Sequence, residues 1–77
     1  MASNSQNTIQ YTAITGRIIK ETDAALLFKY SGDNTSYWFP SSQISEIHRD
    51  LYSEESGLYY DAVKVANWIL NKKGIVV

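Results

Sequence analysis

Ser31-Gly32-Asp33-Asn34 sits between two runs of β-formers, AALLFKY (24–30) and TSYWF (35–39). Gly, Asp and Asn tolerate the positive φ that a short hairpin loop needs. The two runs are therefore expected to pair antiparallel across a four-residue loop. That loop length puts Phe28 opposite Tyr37 and Leu27 opposite Trp38. A slip of one residue would turn every side chain to the other face, so this feature restricts the fold more tightly than any other in the chain.

The same reading extends outward. Residues 9–20, IQYTAITGRIIK, are rich in β-branched residues and lack a helical period, which predicts a long first strand. Gly16 in its interior suggests a bulge or bend. A turn at 21–23 would place Ile18 opposite Leu26 and Arg17 opposite Leu27. Pro40 ends the third strand, because proline cannot donate to the ladder. A fourth strand over 44–49, an acidic loop over 50–57 and a fifth strand over 58–65 follow. A short helix over 66–73 closes the series. Lys72 and Lys73 in its last turn oppose the helix dipole, Gly74 supplies a left-handed cap, and Ile75 can pack back on Leu70.

Five strands and one helix in 77 residues make one small domain over 9–77, preceded by a polar tail over 1–8. The expected class is mostly β (β+α). Closing the strands removes exposed sheet edges, which predicts a five-stranded antiparallel SH3-like or OB-like barrel with a short C-terminal helix. An open sheet with the helix on one face is the alternative.

Side chains alternate faces along a strand. The two registers gather Ile14, Ile18, Leu26, Phe28, Tyr30, Tyr37 and Phe39 on one face, a coherent core. The other face carries Thr15, Arg17, Ile19, Ala25, Leu27, Lys29, Ser36 and Trp38. Trp38 is thus the aromatic left over, beside Leu27 and with Arg17 one strand further on, where a cation–π contact can form. Either the terminal helix covers this patch, with Trp68 packing onto Trp38, or the patch is free for a partner. It also allows a homodimer.

Several function classes recede on composition. There is no cysteine, so neither a disulfide scaffold nor a secreted home is expected. The sequon Asn34-Thr35-Ser36 then carries no glycan. MASNSQNT has neither the basic nor the apolar region of a signal peptide. No run approaches the roughly 20 apolar residues of a membrane helix. A cytoplasmic protein is expected. There is one histidine, His48, in SEIHRD, where Glu46 and Asp50 would share its face in a strand. That row lacks a nucleophile and a pocket, so no catalytic residue, metal or cofactor is assigned. Ser41 and Ser42 read as turn residues.

Two kinds of partner fit the remaining chemistry. Trp38, Arg17 and Lys29, with Tyr11, can stack and hold single-stranded nucleic acid, and Lys64, Lys72 and Lys73 can extend a groove. The net charge of −1 and the acidic loop oppose this. The acidic loop, with Tyr52, Glu54 and Glu55, instead suits a basic groove on a protein, such as the phosphate-binding groove of a nuclease. The ordinary role of such a loop is simply solvation.

WFPSSQI, followed by VKVANWILNKKG, resembles small single-domain proteins of bacteriophage and prophage genomes, whose function is not established. The matching positions are Trp38, Phe39, Pro40, Ser42, Gln43 and Ile44, then Val63, Val65, Trp68, Ile69, Lys73 and Gly74. Ala66 departs from a proline often found there. The resemblance implies a phage-type accessory protein that is not an enzyme. The expected function is a protein-binding module, acting on a host or phage protein and inhibiting a host defence protein or nuclease. The alternative is a single-stranded nucleic-acid-binding barrel in phage replication or recombination.

Overall fold

The computed structural model describes residues 9–75. The expected tail at 1–8 lies outside them. The elements are β1 (Tyr11–Glu21), β2 (Ala25–Tyr30), β3 (Thr35–Pro40), a 3₁₀ turn (Ser41–Gln43), β4 (Ile44–Ser53), β5 (Leu58–Ala66) and α1 (Asn67–Lys72). All strand pairs are antiparallel, in the order β3-β2-β1-β5-β4.

The second hairpin has the register its loop dictates, with Phe28 opposite Tyr37 and Leu27 opposite Trp38. Asn34 takes the positive φ, at 59°. Asp33 accepts the Thr35 N–H at 2.9 Å and the Tyr37 hydroxyl at 2.5 Å, so the loop carries its own side-chain lock.

The first hairpin differs from expectation. Ile18 faces Phe28 and Arg17 faces Lys29, while Lys20 faces Leu27. The turn lies later than 21–23: Glu21 already faces Leu26, which moves the pairing by three residues, and a bulge at Ile19 takes one back. Because the displacement is two residues, the faces are unchanged. Gly16 does not carry the irregularity. It is buried, and a Cβ there would overlap the Lys29 carbonyl oxygen and touch Phe28.

The core contains Ile14, Leu26, Phe28, Phe39, Val63, Val65, Ile69, Leu70 and Ile75, with Ile18, Tyr30, Tyr37 and Ile44 packed at its margin. The expected inner face is therefore the inner face. Helix α1 supplies Ile69 and Leu70 to it. Its end is a Schellman cap: Gly74 lies at φ 90°, Gly74 N–H donates to Asn71 C=O at 3.0 Å, and Ile75 N–H donates to Leu70 C=O at 2.9 Å.

The hydrogen-bonded ladder does not close, since β3 and β4 form its two edges. Yet only Ser41–Gln43 separates those edges in sequence. A flat sheet would hold them about 19 Å apart, four spacings of about 4.8 Å. Pro40 to Ile44 can reach only about 14 Å fully extended. They also stand at opposite ends of the ladder, Pro40 beside Ala25 and Ile44 beside Val65. The sheet is consequently rolled, with inclined strands. Arg49 on β4 reaches Glu21 on β1 at 2.6 Å, and a cleft of about 240 Å³ separates Glu21, Ala25 and Leu26 from Ser41, Ile44 and Ile47. Further bulges at Ser45 and at Arg49-Asp50 bend β4.

Candidate functional site

β1 and β5 pair from Tyr11–Ala66 to Gly16–Asp61 and then part. β1 continues with β2, and β5 continues with β4. Residues 51–60 thus form a two-stranded ribbon beyond the sheet. The expected acidic loop at 50–57 is half strand: Asp50–Ser53 belong to β4, and the connection shrinks to the turn 54–57.

The parting is held by one carboxylate. Asp61 is 4% exposed, on the inner face with Val63 and Val65. It accepts the Ile18 N–H at 2.8 Å and the Asp50 N–H at 2.9 Å. Arg17 lies 3.9 Å away. Asp50 sits in the β4 bulge at φ 56°. Two backbone donors that the ladder leaves unpartnered, one on each neighbouring strand, are thus satisfied by one side chain. Burial pushes the Asp61 carboxyl up, but these two N–H groups, with Arg17 and Arg49, outweigh it and hold it below its ordinary value.

On the ribbon, Tyr52 faces Tyr59, with ring centroids 5.1 Å apart and planes inclined by 56°. Both stay wet, at 53% and 61% exposure, and Leu58 beside them is 66% exposed. Glu54 and Glu55 lie on the turn, exposed. A groove of about 430 Å³ runs between the ribbon and the sheet. Leu58, Tyr59 and Tyr60 form one wall, and Thr15, Gly16 and Arg17 the other; Ser31, Ser53 and Ser56 complete it.

Trp38 stands elsewhere, on edge strand β3. It is 43% exposed, faces half-buried Leu27, and Lys20 follows on β1. Arg17 is not its neighbour: Arg17 faces Lys29, which faces Ser36, and Asp61 holds its guanidinium. The expected Arg17–Trp38 cation–π contact is therefore replaced by a Lys20-Leu27-Trp38 row, because the turn between β1 and β2 sits later in the chain than 21–23. Nor does Trp68 cover Trp38. Its indole N–H donates to the Gln43 Oε1 at 3.0 Å, and the ring remains half exposed. Helix α1 packs on the inner face, and Trp38 points outward. The proposed site residues thus divide into two places, Trp38, Leu27 and Lys29 on the β2–β3 face and Arg17, Tyr52, Glu54 and Glu55 around the ribbon.

His48 Nε2 lies 2.9 Å from Glu46 Oε1, and Lys64 lies 3.5 Å from the other oxygen, all in the open. His48, and then Lys64, hold the Glu46 carboxyl low. The Arg49-Asp50 bulge breaks the alternation that a Glu46-His48-Asp50 row requires. Among the described residues no group of three His, Cys, Asp or Glu is placed to hold a metal ion. No helix among them is long and apolar enough to cross a membrane.

Asp61 and the Tyr52–Tyr59 pairing are the features that sequence reasoning missed. One signal was available: Asp61 occupies the same alternation as Val63 and Val65, a core position for an acid. No protein family, curated protein or solved structure matches this chain.

Proposed function

We propose that this chain is a non-enzymatic protein-binding module on a small SH3-like or OB-like barrel scaffold, and that the β4–β5 ribbon is its contact element. One observation carries the reading: a tyrosine pair and a leucine held in water on a two-stranded ribbon beyond the sheet. Tyrosine gives large contact area at low entropic cost, and it is enriched at interface hot spots. The rolled sheet, with its edges brought close by the 3₁₀ turn, supports the barrel assignment. The resemblance to phage accessory proteins supplies the setting, a host or phage protein as target, with a defence protein or nuclease as the class inhibited.

Affinity capture from bacterial lysate tests this. A partner held by the parent chain should be lost with Tyr52→Ala/Tyr59→Ala and kept with Trp38→Ala, the fold of each being checked by circular dichroism. Retention by the tyrosine variant refutes the assignment.

The second reading is single-strand nucleic-acid binding through the outer face. Exposed Trp38 in a row with Leu27 and Lys20, near Lys29, favours it. Stacking on a single-stranded oligonucleotide should quench Trp38 emission in a Trp68→Phe background, and salt should weaken the effect. Unchanged emission at low salt removes this reading.

A further inference from the structure

The ribbon and its groove carry a charge pattern as well as an apolar one. Residues 50–61 contain four of the eight acidic residues, Asp50, Glu54, Glu55 and Asp61, and none of the seven Lys and Arg. The segment is therefore net −4, and the rest of the chain is net +3. Among the described residues the acidic partners in ion pairs are Asp61, Glu46 and Glu21. Glu54 and Glu55, beside the tyrosine pair, take part in none. The one cation on the opposite wall, Arg17, is already offset by Asp61.

The groove also has a strand-like character. No ladder rungs join β1 and β5 beyond Gly16–Asp61, although β5 runs back to Leu58 and β1 on to Glu21. The groove opens at the mouth of that split, where Arg17 and Tyr60 part, and has Leu58, Tyr59 and Tyr60 along it. A guest lying there in extended form meets strand backbone on the β5 side. Its alternate side chains then point into the groove or out past the turn.

We infer that this groove receives an extended segment of a partner protein in which arginine or lysine alternates with apolar residues. The inference rests on the protein-binding reading above and names its partner chemistry. Apolar side chains take the Leu58–Tyr60 wall. Cationic side chains reach Glu54 and Glu55, and a guanidinium can lie on the exposed face of Tyr52 or Tyr59. An acidic guest, a nucleic acid strand included, meets the exposed Glu54 and Glu55 instead.

The test titrates the isotope-labelled full chain with a short synthetic peptide alternating arginine and valine, and with its counterpart in which glutamate replaces arginine. Amide shifts should move at 15–17, 31 and 53–60 with the first peptide, and added salt should weaken binding. Glu54→Gln/Glu55→Gln should weaken it roughly three- to tenfold, the range two exposed ion pairs supply. Equal binding of the glutamate peptide overturns the inference. So do shifts centred on Trp38, or shifts that depend on protein concentration without peptide, which would make a second copy the occupant. If a captured partner survives Glu54→Gln/Glu55→Gln but not Tyr52→Ala/Tyr59→Ala, the cationic inference fails and the protein-binding reading stands. If it survives both, the reading itself fails.

Discussion

Replacing Asp61 by alanine should unlatch the ribbon from the sheet. The side chain is buried and accepts two backbone N–H groups, from Ile18 at 2.8 Å and from Asp50 at 2.9 Å. Hydrogen bonds to a charged group contribute about 1.5–3 kcal/mol each, and each buried donor left without a partner costs a similar amount. We expect Asp61→Ala to cost about 3–5 kcal/mol, out of the roughly 4–12 kcal/mol that a domain of this size possesses. Asp61→Asn retains one acceptor oxygen but turns an NH₂ towards the other donor, so it should fall between. Urea unfolding reads both, and amide shifts should change most at Ile18 and Asp50. The pH dependence has a definite sign. The carboxyl titrates lower in the folded chain than in the unfolded one. Its contribution is therefore complete above the unfolded value of about 4 and is lost as pH falls through the folded value. Asp61→Asn should lack that acid-side loss. If Asp61→Ala costs less than about 1 kcal/mol, or if the acid profile of Asp61→Asn matches that of the parent, the carboxylate is not the latch.

Gly16→Ala should destabilise strongly although it adds one methyl group, because that carbon meets the Lys29 backbone and the strands must move apart. A cost of at least about 2 kcal/mol is expected from overpacking against a group that cannot rotate away, and an unchanged melting temperature would refute it. Phe28→Ala should cost about 3–5 kcal/mol. Trp38→Ala, from an outward and partly exposed position, should cost about 1 kcal/mol or less. Equal costs in thermal melts would mean that the faces are misassigned.

Much of the fold was legible because loop chemistry announces itself. Ser31–Asn34 could connect its strands in essentially one way, and Phe28–Tyr37 followed. Gly74 and Ile75 likewise marked the helix end. The first hairpin left no such mark: Glu21-Thr22-Asp23 does not say where its turn is centred, and Ile18 and Ile19 both look like ordinary strand residues, so the later turn and the bulge were not legible. The error was two residues, an even number, so the core and the outward Trp38 survived it while the Arg17–Trp38 contact did not. The ribbon was obscured for a different reason. Tyr52 and Ser53 lie among acidic residues and read as loop, yet their cross-strand partners Tyr59 and Leu58 draw them into β4. Long-range pairing overrode local composition.

The placement of β1 between β2 and β5 also sets the order in which this molecule can be made. The strand at its centre needs a neighbour more than forty residues later in the chain, as the Ile14–Val63 rung requires. During synthesis, β1, β2 and β3 can assemble as a meander, but one flank of β1 waits bare until β5 leaves the ribosome. Such distant closure slows folding, and the waiting flank is the surface through which nascent copies would aggregate.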